Sequence, residues 1–262
     1  FIRTGNEKIN RLFSNSLWGL KSNFLDMPTD CPQRDERLGW TGDAQVFSTT
    51  AGFHMDTRAF YHKYLKDLRS DQLRHHGGVA VYLPNNAGGL TAGVWSDVAT
   101  FMPKMLYDYY GSKELLAKFY LLMKDWVDYV YRADCARGQK NLYDFGFQFG
   151  DWLALDGSTE QSTFGRTDNG FVCSNYYYAS TRYVADAAKV LGKTEGAEYD
   201  ALLPKLRPMQ IRRDDGRLNE WYGEHPDWDE HHRHISHLYG LFPGRETMTP
   251  ELSDAVKKVL NV

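Results

Sequence analysis

Four carboxylic acids, two arginines and an indole are crowded into the sixteen residues Asp30-Cys31-Pro32-Gln33-Arg34-Asp35-Glu36-Arg37-Leu38-Gly39-Trp40-Thr41-Gly42-Asp43-Ala44-Gln45. Pro32, Gly39 and Gly42 keep most of this run out of helix. Carboxyl groups on an irregular segment can transfer protons and bind hydroxyls, and a tryptophan ring offers a flat face to the C–H side of a sugar. The combination therefore points to carbohydrate chemistry. It equally describes a charged loop whose acids and arginines neutralise each other at a solvated face. The residue types alone leave those two readings level.

Two further polar stretches place Trp beside Asp: Gly93-Val94-Trp95-Ser96-Asp97 and Gly150-Asp151-Trp152-Leu153. A single Trp at a helix start more often packs than binds, and Asp97 there can simply complement the helix dipole. Three such segments together are harder to ascribe to chance. Near the C-terminus lie Glu220-Trp221 and the cluster His231, His232, His234 and His237. His234 and His237 stand at i, i+3 on an expected helix. Zinc needs about four converging ligands, and neither an HExxH motif nor a Cys partner accompanies them. The expectation is no metal and no cofactor; His234 and His237 are read as a polar wall, with one imidazole on sugar. Cys31, Cys135 and Cys173 are widely spaced and odd in number, so they suggest neither a zinc site nor a disulfide framework.

The run Asp-Cys-Pro-Gln-Arg-Asp-Glu-Arg-Leu-Gly-Trp-Thr-Gly-Asp over residues 30–43 resembles the signature of bacterial α-L-rhamnosidases, glycoside hydrolase family 78. That resemblance covers about residues 1–205. It implies an (α/α)6 barrel and inverting hydrolysis of terminal α-L-rhamnose. Inversion uses one carboxyl group to protonate the leaving oxygen and a second, about 6.5–9.5 Å away, to activate water. The general acid has to hold its proton near neutral pH, which burial or neighbouring negative charge brings about. Glu36, with Asp35 adjacent and Asp30 and Asp43 close in sequence, suits that role and occupies the position of the family's acid. The resemblance further implies hydroxyl ligands at Asp30 and Asp43, with Arg34 and Asp35 beside them. It makes Trp40, Trp95 and Trp152 rings of the pocket, with Asp97 and Asp151 as its other carboxylates.

The C-terminal segment is of another kind. His231-His232-Arg233-His234-Ile235-Ser236-His237-Leu238-Tyr239-Gly240-Leu241-Phe242-Pro243-Gly244, preceded by Glu220-Trp221, is similar to the catalytic barrel of family 95 α-L-fucosidases. That family also implies an inverting (α/α)6 enzyme. The acid and base motifs of family 95 and the Trp-Glu base segment of family 78 are absent from the chain. Glu220 is the first choice for the general base, with Asp227, Asp229 and Asp151 as the other candidates. The rival is a catalytically silent carbohydrate-binding remnant.

The elements that must position these residues are helices. Apolar spacing predicts helices over about 7–24, 43–54, 57–73, 95–111, 115–133 and 171–191, with weaker ones near 198–206, 235–242 and 250–260. Gly111 and Gly192, each followed by polar helix starters, read as C-caps between paired helices. Chains of such hairpins build bundles, solenoids or toroids. Tight turns alternate with long loops at 25–42, 76–94 and 134–170, and loops of that length are usually functional. Val79–Leu83 is the strongest strand signal and reads as a short hairpin within its loop. The fold class is thus an all-α toroid of αα-hairpins, shortened: about nine helices are counted, fewer than the six hairpins of the barrel require. A single barrel domain over 1–262 is expected, rhamnosidase-like over 1–205 and fucosidase-like over 206–262. Apolar faces left open would be covered by another copy, closed into a smaller ring, or reflect a truncated or composite chain.

Hydrophobic residues make up 42% and aromatics 15%, with 17 Tyr and 7 Trp, enough for a core and for ring-lined sugar sites. A net charge of -3 argues against a nucleic-acid partner or an anionic membrane surface. No apolar run reaches the roughly 20 residues of a membrane span. The expectation is a soluble protein of the bacterial cytoplasm or periplasm. The start at Phe1 carries neither an initiator Met nor a signal-type apolar region, so the compartment itself stays open.

Overall fold

A computed structural model describes residues 3–86, 88, 90–154, 159, 161–206, 215–218 and 249–260. These residues form eight α-helices: α1 (Glu7–Asn23), α2 (Thr41–His54), α3 (Arg58–Arg74), α4 (Val98–Tyr110), α5 (Lys113–Ala136), α6 (Asn169–Leu191), α7 (Gly196–Leu202) and α8 (Pro250–Leu260). The helix expected near 235–242 lies outside the described residues. No helix among the described residues is long and apolar enough to cross a membrane.

Local sequence explains where the helices begin and end. The side chain of Asn6 accepts from the N–H groups of Lys8 and Ile9 at the start of α1. Ser112 does the same for Leu115 in α5, and Asp168 for Phe171 in α6. Gly111 and Gly192 close α4 and α6 at φ 64° and 68°, the left-handed region that an L side chain resists. These tight turns occur at one end of the hairpins. The connections 24–40, 75–97 and 137–168 are long and occur at the other.

α4 packs against α2, α3, α5 and α6, and α6 against α5 and α7. The core contains Tyr61, Tyr64, Leu65 and Leu68 from α3, Met102 and Leu106 from α4, Leu116, Leu122 and Trp126 from α5, and Tyr177 and Val184 from α6. Each buried Leu or Met contributes about 1.5–3 kcal/mol. More of α6 is buried than a single apolar stripe would account for. Val172, Tyr183 and Val190 are half-buried, while Cys173, Tyr177, Ser180, Thr181, Val184 and Ala188 are fully covered. α6 is therefore an inner helix enclosed on several sides, and small and hydroxyl residues let its neighbours approach. Leu12 and Trp18 on α1 and Val46 and Phe53 on α2 remain exposed.

The strand signal at 79–83 resolves differently from the expected local hairpin. Tyr82–Leu83 (β2) pairs antiparallel with Gly39–Trp40 (β1), with Gly39 opposite Leu83 and Trp40 opposite Tyr82. This ladder joins the first long loop to the second across about forty residues of chain.

Candidate active site

The long loops converge on a cleft of about 1140 Å³. The first contributes Asp30, Cys31, Arg34, Glu36 and Trp40, the second Val94 and Trp95, and the third Phe149, Gly150, Asp151, Trp152 and Leu153. α2 adds Gly42 and Asp43 from its first turn, and α1 adds Leu20 and Asn23.

Glu36 is oriented by its neighbours. The indole Nε1 of Trp40 donates to Glu36 Oε1 at 2.6 Å, and Arg34 Nη1 lies 3.8 Å from Glu36 Oε2. Trp40 is itself fixed by the β1–β2 ladder. Thr41 extends that attachment, its N–H donating to Val81 O at 2.9 Å and its hydroxyl to Ala80 O at 3.2 Å. The Trp40 ring meets Tyr82 and Phe149 edge to face, at centroid distances of 5.3 and 5.9 Å. The Glu36 carboxyl thus rests, through Trp40, on backbone pairing, which is stiffer than a free loop.

Asp30 and Asp43 complete a patch of negative charge. Asp30 Oδ1 is buried and has no hydrogen-bond partner among the described residues, an arrangement suited to a ligand hydroxyl. Asp43 keeps contact with solvent but loses part of its hydration. That loss, then the charge of Asp30 and to a lesser degree that of Glu36, raises its carboxyl above the ordinary 3.8. Cys31 also borders the cleft. Its thiol is pushed upward, first by a hydrogen bond to the Asp30 carboxylate and then by burial, away from the reactive thiolate.

The rings form a continuous wall. Trp95 lies against Phe149 at 4.4 Å, and its other side abuts Gly42, where an added Cβ would come within 2.8 Å of the indole. Phe149 continues to Trp152 at 5.4 Å, and Trp152 to Phe164 at 5.3 Å. A backbone bridge between Trp152 and Phe164 holds the third loop closed. Asp151 borders the cleft with Oδ2 accepting from the Thr167 hydroxyl at 2.9 Å.

One expected contact is corrected by this geometry, and another residue stands beside the cleft wall. Asp97 is 1% exposed and is not part of the cleft wall. Its Oδ1 accepts from Trp126 Nε1 at 2.8 Å and Ser180 Oγ at 2.6 Å, and its Oδ2 from Val94 N–H at 2.7 Å. Burial raises its carboxyl above the ordinary range. It occupies the N-cap position of α4, where its backbone carbonyl accepts from Thr100 and Phe101 N–H but its carboxylate bonds none of the helix amides, so side-chain capping does not describe it either. Asp35 points to solvent beside Glu36 and does not border the cleft. Glu220, Asp227, Asp229, His234 and His237 lie outside the described residues. Among the described residues, no group of three or more His, Cys, Asp or Glu is arranged to hold a metal ion.

Sequence reasoning missed Phe149, which touches Trp40, Trp95 and Trp152 alike. The alternation Phe147-Gln148-Phe149 carried the signal, because alternate residues of an extended segment share a face. The cleft contribution of α1 had no comparable signal.

These features define a toroid of helical hairpins with a cleft of carboxylates and indoles at its long-loop end. Residues 1–209 match the bacterial alpha-L-rhamnosidase 6 hairpin glycosidase domain, and the chain belongs to that family. It is 37% identical over 202 residues to an alpha-L-rhamnosidase of Formosa agariphila, a match covering 76% of this chain and 21% of that protein. The crystal structure of an alpha-L-rhamnosidase from Aspergillus terreus superposes with a TM-score of 0.78 at 31% identity, over 100% of this chain and 29% of the other. Alpha-L-fucosidase 2 of Arabidopsis thaliana is 42% identical over 84 residues, 29% of this chain and 10% of that protein, which fits the fucosidase-like C-terminal segment. The chain spans about a fifth of the length of the curated rhamnosidases it matches.

Proposed function

We propose that this chain is the catalytic toroid of a glycoside hydrolase that removes terminal α-L-rhamnose, with Glu36 as general acid. The observation that carries the reading is the placement of Glu36. It is held by the Trp40 indole at 2.6 Å, on a cleft it shares with Asp30 and Asp43. A sugar seated there would set its hydroxyls on Asp30 and Asp43, with the edge of Trp95 and the ring of Trp152 bordering it. Glu36 would deliver its proton to the glycosidic oxygen as the bond to the anomeric carbon breaks. A second carboxylate on the opposite face would take a proton from the attacking water, giving inversion. Glu220 is the residue proposed for that base, and Asp151 is the alternative already on the cleft wall.

The test compares p-nitrophenyl and methyl α-L-rhamnosides as substrates of the wild-type chain and Glu36→Gln. General acid catalysis is worth about 10²–10⁴ in rate. The variant is expected to lose that much on the methyl glycoside and less on the nitrophenyl one, because nitrophenolate departs without a proton. Equal losses on both would remove Glu36 from the acid role. The fucosidase-like segment favours a second reading, in which α-L-fucosides are turned over; the nitrophenyl α-L-fucoside assayed in parallel decides it. Binding of L-rhamnose without turnover of any of these substrates would leave a carbohydrate-binding role.

A further inference from the structure

Val94 adopts φ 74°, a conformation that a β-branched L residue avoids. It immediately precedes Trp95, the indole seated between Gly42 and Phe149 on the cleft wall. Three successive amides approaching that indole are each taken by a side chain. Ala92 N–H donates to Ser96 Oγ at 3.1 Å, Gly93 N–H to Gln148 Oε1 at 2.7 Å, and Val94 N–H to Asp97 Oδ2 at 2.7 Å. The last acceptor is the most firmly rooted. Asp97 is bonded to Trp126 of α5 and Ser180 of α6, and Ser180 Oγ lies 2.6 Å from the Thr100 hydroxyl of α4. A carboxylate suits this position because all three of its neighbours donate and it has acceptors for each of them.

We infer that Asp97 is a positioning residue for Trp95: it ties the strained Val94 amide to the inner helices and so sets the indole against the sugar subsite. The sugar-binding consequence rests on the function proposed above; the link from Asp97 to the Trp95 conformation does not. An ordinary buried carboxylate would stabilise the packing of α4, α5 and α6 and leave Trp95 indifferent to its loss.

The experiment uses Asp97→Asn, which matches the carboxylate in shape but cannot accept from all three donors. Val94→Gly is then added in the same chain, because glycine takes a positive φ without a clamp. Two readouts are needed. In chain labelled with 5-fluorotryptophan, the Trp95 ¹⁹F resonance, assigned with Trp95→Phe, is expected to shift and broaden in Asp97→Asn and to return in the double variant. The dissociation constant for L-rhamnose is expected to rise about tenfold in Asp97→Asn and to fall back to within about threefold of wild type when Val94→Gly is added. Ser180→Ala, which removes one donor without touching the carboxylate, provides a graded version if Asp97→Asn does not fold. It should move the Trp95 resonance less, and Val94→Gly should again suppress the change. A Trp95 resonance unmoved in folded Asp97→Asn or Ser180→Ala, with only a lowered Tm, overturns the inference. So does a displaced resonance that Val94→Gly leaves displaced. If the wild-type chain binds no L-rhamnose, the sugar reading fails while the ¹⁹F comparison still decides the role of Asp97.

Discussion

The Trp40 indole donates to Glu36 at 2.6 Å while the backbone of the same tryptophan is paired with Tyr82. The orientation of the proposed acid is thus passed from the sheet ladder through one aromatic side chain. Trp40→Phe keeps the apolar ring against Tyr82 and Phe149 and removes only the donor. Glu36 becomes charged as it gives up its proton, and a hydrogen bond to a charged group is worth about 1.5–3 kcal/mol, so kcat on methyl α-L-rhamnoside is expected to fall about 10–100-fold with little change in KM. A change confined to KM would show that Trp40 serves binding and not the orientation of Glu36.

Gly42→Ala sets two effects against each other. Alanine favours a helix over glycine by about 1 kcal/mol, but its Cβ would stand 2.8 Å from the Trp95 ring. The expected outcome is weaker L-rhamnose binding by calorimetry, with the Tm unchanged or lower. A stabilised variant with wild-type affinity would mean that Trp95 yields at no loss, and the indole would not be the tight wall described.

Asp43 links stability to function through pH. Its carboxyl is raised above the ordinary 3.8 in the folded chain, so the folded state holds that proton more tightly than the unfolded one. The resulting stabilisation is complete below the unfolded value and is lost as pH rises through the folded one. Asp43→Asn has no proton to lose. Its Tm relative to wild type should therefore improve between about pH 4 and pH 7, while its affinity for L-rhamnose falls. A Tm difference independent of pH, or one that shrinks as pH rises, would contradict the raised carboxyl.

Gly111→Ala probes the opposite end of the toroid. Gly111 has φ 64°, and no atom lies within 4 Å of the position a Cβ would take, so the penalty is conformational and not steric. A loss of about 1–2 kcal/mol in urea unfolding is expected, with glycoside turnover unchanged. A loss of turnover matching that of Glu36→Gln would mean that the short turns communicate with the cleft.

The helices and their alternation of tight and long connections were legible because periodicity and glycine caps are local properties. The grouping of Glu36, Trp40, Asp30 and Asp43 was legible for the same reason: all four lie within one short run. Asp97 was misjudged because its neighbour Trp95 faces the cleft while its own carboxylate turns inward to Trp126 and Ser180. Those partners are 29 and 83 residues away, and no local pattern announces them. The strand at Tyr82 was visible as a strand, but its partner was not, since pairing across the two loops is a tertiary fact.

That pairing has a bearing on how the cleft can be redesigned or diversified. Because Gly39–Trp40 and Tyr82–Leu83 share one register, neither loop is a separate module. Transplanting the segment around Glu36 from a relative, without the segment that receives it, would leave one half of a seam with nothing to match. The two loops have to be exchanged as one cassette, whereas each tight turn at the far end can be exchanged on its own so long as its left-handed glycine is kept.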